Sequence, residues 1–265
     1  MLRQALKMRG FHVVGKDDKV GKIHDFYFDD QSWTVRYVIV DTGSWLDDRK
    51  VMLSPAAIAE IDWSREQVLS PLTREQIEDS PDIALDQPVS RQHEVMLHDH
   101  YAWPYYWGAP AGRAGMTPGT GPIGAAAPIP PATTSVRTAA ESAPEAVKEA
   151  MHEKGDPHLR SMKEVRGYGI HATDGGIGEV DDFFFDEAEW RVRYLLVDTG
   201  VWIFGKEVLI SPDWIDNVSW ADLRVNVDVS REQVENSPEY NPQQTIGRDS
   251  ETMLYTHYGF PGYWV

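Results

Sequence analysis

The chain has 265 residues, 42% of them hydrophobic, with ten tryptophans and no cysteine. That length suits about two domains, and the missing cysteines exclude disulfides, thiolate nucleophiles and cysteine metal sites. A formal net charge of −17, carried by both halves and more heavily by the second, repels phosphate backbones and anionic lipid, so nucleic acid is not expected as a partner.

The opening "MLRQALKM" is too short for the apolar stretch of a signal peptide. No run reaches the roughly 20 apolar residues of a spanning helix, so no integral membrane segment is expected and the cytoplasm is the expected location. "KVGKIHDFYFDD" (Lys19–Asp30) and "TVRYVIVD" (Thr34–Asp41) are dense in β-branched and aromatic residues, with a polar turn before Trp33. The second is apolar on both faces near its end, as a central strand is. "RKVMLS", "AEIDW" and "VLSPL" follow as shorter strands, with "SPAA" as a helical turn. "TREQIEDSP" opens a short helix with the Thr-x-x-Gln capping pattern, and Ser80-Pro81 stops it. About six short strands closed by a helical turn predict a small barrel.

The same text recurs. Gly21 returns as Gly178, Trp33 as Trp190, Ser54 as Ser211, Arg74 as Arg231, His100 as His257 and Trp107 as Trp264, all at one constant spacing. A period this long exceeds a solenoid unit, so a whole domain is written twice. The division is 1–107 for the first copy, 108–158 for a linker and 159–265 for the second copy. The linker is rich in Gly, Pro and Ala, poor in core-forming residues, and predicts one short helix near 142–154 between Ser142 and Gly155.

The order of Gly21 in "GKIHDFYFDD", then Trp33, "VRYVIVDTG", "VMLSP" and "TREQIEDSP", repeated in the second copy, resembles the PRC-barrel family. That family is named for the cytoplasmic domain of the photosynthetic reaction centre H subunit, and a related barrel occurs in a bacterial rRNA-maturation factor. The resemblance spans residues 10–81 and 167–238. It implies a mainly β fold of two tandem six-stranded PRC-type barrels that mediate protein contacts, with no family-wide catalytic residues. No counterpart of the H subunit's membrane helix or of the maturation factor's N-terminal domain is expected here, so the resemblance carries the fold and neither specific function.

Several motifs invite a sharper reading. Asp41-Thr42-Gly43 and Asp198-Thr199-Gly200 echo aspartic proteases, but strand-ending turns account for them. The acidic runs "HDFYFDD" and "DDFFFDEAE" lack calcium-loop spacing and predict a solvated surface. His98 and His100 would share a face of an extended segment, yet the second copy has Tyr255 and His257 there, so no metal site is assigned. No catalytic or cofactor-binding residue is assigned either.

The closing segments "MLHDHYAWPYYWG" and "MLYTHYGFPGYWV" predict extended aromatic straps, because proline forbids a continuing helix. Tyr101, Trp103, Tyr106 and Trp107, with Tyr258, Phe260, Tyr263 and Trp264, are the candidate interface. They are expected to pair two separately folded barrels as a pseudo-two-fold couple, with homo-oligomers as a further outcome. The function expected is a non-enzymatic interaction or scaffolding module for a protein partner. The second reading is a small-molecule carrier or enzyme using a cleft between the barrels.

Overall fold

The computed structural model describes residues 1–81, 89, 91–107, 158–200 and 205–264. Residues 1–83 and 158–265 form one compact unit, and residues 84–157 form another. The linker helix expected near 142–154 lies outside the described residues. No helix among the described residues is long and apolar enough to cross a membrane.

In the larger unit the first copy contributes β1 (Leu2–Gln4), β2 (His12–Val14), β3 (Lys19–Asp29), β4 (Thr34–Asp41), β5 (Lys50–Leu53), β6 (Glu60–Asp62), β7 (Gln67–Leu69) and the helix α1 (Arg74–Glu78). The smaller unit holds α2 (Arg91–Tyr101). The second copy repeats the series as β8 (Leu159–Ser161), α3 (Met162–Val165), β9 (Gly169–Ala172), β10 (Gly175–Asp186), β11 (Val192–Asp198), β12 (Glu207–Ile210), β13 (Ile215–Ser219), β14 (Arg224–Val227), α4 (Arg231–Glu235) and α5 (Arg248–Tyr258).

The protein is mainly β, with two seven-stranded sheets of matching order, β5-β4-β3-β2-β7-β6 and β12-β11-β10-β9-β14-β13. The strands follow the β-branched and aromatic runs, and β4 is buried on both faces toward its end, from Tyr37 to Val40. Capping boxes start α1 and α4, Thr73 with Gln76 and Ser230 with Gln233. Bulges interrupt β3 between Ile23 and Asp25 and between Tyr27 and Phe28, and they sharpen its bend. The recurring strand glycine, a signal of close approach, marks one in each copy. A Cβ on Gly21 would lie 2.1 Å from the Asp41 carbonyl oxygen, and Gly178 stands at the same 2.1 Å from that of Asp198.

The expectation of six strands per copy and separate folding is corrected by the seventh strand. β1 of the first copy pairs with β10, Leu2 opposite Asp186 and Gln4 opposite Phe184. Reciprocally β8 pairs with β3, Leu159 opposite Asp29 and Ser161 opposite Tyr27. Each copy therefore completes the other's sheet with its own first strand.

The seam between copies is aromatic. Phe26, Phe28, Phe183 and Phe185 are fully buried, Phe28 lies 5.8 Å from Phe183 between ring centroids, and Phe26 lies 6.1 Å from Phe185. Each such ring contributes roughly 2–3 kcal/mol through burial. Trp33 stacks on Phe28 at 5.2 Å and Trp190 on Phe185 at 5.0 Å. Both tryptophans take a left-handed turn, with φ of 53° and 56°. That turn aims each carbonyl across the seam, where Val35 N–H donates to Trp190 O and Val192 N–H to Trp33 O, both at 2.7 Å.

The expected extended straps are also corrected. Arg91–Tyr101 and Arg248–Tyr258 are helices. Proline does not prevent them because Pro104 and Pro261 fall beyond their ends. Gly259 caps the second in the left-handed conformation at φ 80°, and Ala102 turns at φ 55° after the first.

Candidate functional site: a charged cross-strand row and its cleft

The second copy's aromatic segment lies against its own copy. Glu251, Leu254, Tyr255 and Tyr258 form the buried face of α5. Trp214 meets Tyr258 at 4.5 Å and Phe260 at 5.4 Å, and Trp264 meets Tyr255 at 5.1 Å. The buried Glu251 carboxylate accepts from Tyr194 at 3.0 Å and Tyr263 at 2.8 Å. Arg193 lies 3.9 Å over the Tyr263 ring and Arg248 4.2 Å over that of Trp264. Burial, with Glu251 beside it, pushes the Tyr194 phenol up, and burial pushes Tyr258 up to about 12. Of the candidate interface, Tyr258, Phe260, Tyr263 and Trp264 thus cover their own sheet, and the strands and rings of the seam join the copies.

Within the smaller unit the same chemistry recurs. Tyr106 donates to Glu94 and Tyr105 to Asp99, both at 2.5 Å. Tyr101 stacks on Trp103 at 4.3 Å, and Trp107 meets Tyr106 at 4.4 Å. His98 Nδ1 lies 2.9 Å from the Pro104 carbonyl. On a helix His98 and His100 do not share a face, which corrects the extended placement. His257 Nε2 contacts the Gln233 carbonyl at 2.7 Å.

The acidic runs are only partly solvated. Asp25 and Asp182 are each 4% exposed, because the bulge before each breaks the two-residue alternation of its strand. Asp182 Oδ1 accepts Leu6 N–H at 2.8 Å and Phe183 N–H at 2.7 Å. Asp25 accepts the Ser161 hydroxyl at 2.5 Å, Lys163 N–H at 3.1 Å and Phe26 N–H at 2.8 Å. Each carboxylate therefore pins the segment that the other copy has exchanged. Burial pushes both carboxyls up, Asp182 to about 6. Residue reading missed this pair; the signal was an aspartate kept in both copies within an aromatic strand.

The Asp-Thr-Gly motifs are turns. Asp41 Oδ1 accepts Gly43 N–H at 2.9 Å and Asp198 Oδ1 accepts Gly200 N–H at 2.8 Å. Thr42 and Thr199 donate to the Arg49 and Lys206 carbonyls at 2.6 and 2.7 Å.

Beside the first turn lies a cleft of about 570 Å³, lined by His12, Lys19, Lys22, His24, Asp41 and Trp45 among others. Gly21 lets the Asp41 end of β4 approach closely, and both residues line the cleft. Trp45 forms a wall, fixed by donation to the Val20 carbonyl at 2.6 Å and by Arg74 stacked 4.0 Å over its ring. Strand register sets His12, Lys22, Asp41 and Lys50 in one row across four strands. The same row in the second copy reads Gly169, Glu179, Asp198 and Glu207. Next to it Arg166 pairs with Asp181 at 2.7 Å, whereas Arg9, at the matching first-copy position, donates to the His24 carbonyl at 2.9 Å. Burial, then Lys50, Lys163 and Arg9, hold His24 below its ordinary range. In chemical terms the first row attracts carboxylate or other anionic groups, and the second attracts cations.

A search of curated proteins gave no match to the chain. The family model of the PRC-barrel domain matches residues 5–70 and again 161–234. Those segments hold the hairpins, the glycine approaches and the turns just described, and the chain belongs to the PRC-barrel family.

Proposed function

We propose that this chain is a non-enzymatic interaction and scaffolding module built from a duplicated PRC-type barrel, which presents charged surfaces to a protein partner. The observation that carries this reading is where the recurring polar residues are used. Asp25 and Asp182 hold exchanged segments, Asp41 and Asp198 hold turns, and Thr73 and Ser230 cap helices. What recurs serves the fold, and what differs between copies is surface charge. The buried phenylalanines in contact across the seam support this reading over a carrier or enzyme using a cleft between the barrels.

The test cross-links the tagged full-length chain in its native host and identifies partners by mass spectrometry. In parallel the purified protein is incubated with small-molecule extract. The proposal expects recurrent cross-links to a defined protein through surface residues and an unchanged extract. Catalytic depletion of a metabolite by sub-stoichiometric protein would contradict it.

A further inference from the structure

We propose that the cationic row of the first copy docks against the acidic row of the second copy in another molecule of this chain, a head-to-tail contact. The inference rests on the interaction-module reading and names the partner of one surface. Its motive is sign reversal at equivalent places. Lys22 and Lys50 flank Asp41 in the first row, and Glu179 and Glu207 flank Asp198 in the second.

Both rows have the same pitch, since neighbouring strands lie about 4.8 Å apart. A charge on one row therefore finds an opposite charge at matching spacing on the other. Docking forms two Lys–Glu pairs against a single opposition of Asp41 and Asp198, each of which already accepts a backbone N–H. Two attractions outweigh one repulsion.

Among the described residues no carboxylate lies within ion-pairing distance of Lys22 or Lys50, and none of the ion pairs involves Glu179 or Glu207. Lys22, Glu179 and Asp198 are exposed. Like charges directly opposite on neighbouring strands destabilise a sheet, and Glu179, Asp198 and Glu207 are three in succession. Burial, then Asp181 and Asp198, push the Glu207 carboxyl up, with Lys7 the cation that opposes it. A counter-charged face relieves that cost.

The overall charge of −17 repels at long range but is screened beyond about 8 Å at physiological salt, whereas row-to-row contacts act within that distance. Because the two faces differ, the contact is heterologous and extends into chains unless its rotation closes a ring.

Sedimentation velocity of the full chain tests the proposal with two charge-reversed variants. Lys22→Glu with Lys50→Glu makes both faces acidic, and Glu179→Lys with Glu207→Lys makes both rows cationic. The wild type should self-associate with rising concentration and dissociate in about 0.5 M salt. Each variant alone should be monomeric, and their equimolar mixture should associate into alternating assemblies of one-to-one stoichiometry. Melting curves verify folding; if a reversal does not fold, Lys50→Gln and Glu207→Gln replace it and should each weaken association at least tenfold. A wild type that stays monomeric up to about 100 µM, variants that associate like the wild type, or a mixture that forms no complex would overturn the proposal. A monomeric chain that still captures a defined partner protein would overturn this docking and leave the interaction-module reading standing.

Discussion

Asp182 carries a cost that its position explains. Burial pushes its carboxyl from 3.8 to about 6, against the backbone N–H of Leu6 and Phe183. Since the folded state holds the proton more tightly than the unfolded state, stability falls as pH rises from 3.8 to about 6 and is level above. This one group accounts for at most about 3 kcal/mol of that fall. Asp182→Asn keeps an oxygen for both N–H donors and removes the charge, so chemical denaturation across that window should show a flatter slope. Asp182→Ala leaves the donors unmet in a buried seam and should cost roughly 2–4 kcal/mol at neutral pH. At Gly21 or Gly178 an alanine Cβ would fall 2.1 Å from a backbone carbonyl oxygen, and each substitution should cost about 3 kcal/mol or more. The glycines were legible because a lone glycine in a strand signals close approach. The aspartates were not, because a bulge turns an apparently outward residue inward, and a bulge needs its partner strand to be seen. The charged rows escaped for another reason. Comparing copies for identity highlights Trp33 and Trp190, while Lys22 and Glu179 inform only through their difference.

Among elements, the hairpins β3–β4 and β10–β11 and the capped helices α1 and α4 were written locally in side-chain type and spacing. The aromatic segments were misread because proline was weighed as a barrier when it stands past a helix end. The spacing of Glu251, Leu254, Tyr255 and Tyr258 was the helical signal. β1 had no local signature at all, since its partner β10 lies at the far end of the sequence. That exchange makes a test. Deleting residues 1–8 removes β1, with its register on Asp186, Phe185 and Phe184, and the donation of Leu6 to Asp182. Amide hydrogen exchange should then rise in β10 more than in β3, although the deletion lies in the first copy. Protection lost only in the first copy's sheet would show that β1 serves its own half. Tyr263→Phe should remove one donor from Glu251 and lower melting by a few degrees, consistent with about 1 kcal/mol for a hydrogen bond to a charged group reduced by the remaining Tyr194 bond.

For the whole molecule, the two copies of the PRC-barrel domain make one interlocked body, in which strands β1 and β8 are exchanged and aromatic rings fill the seam. The two copies keep matching strand orders, while the charged rows at their equivalent positions differ in sign. Interlocking is the central claim, and it is tested most directly by inserting a protease site between Trp107 and His158, cutting the folded protein, and measuring mass by size-exclusion chromatography with light scattering beside thermal melting. The cut halves should elute together at the mass of the whole chain and melt in one cooperative transition. Two folded species that separate, each with its own melt, would contradict it.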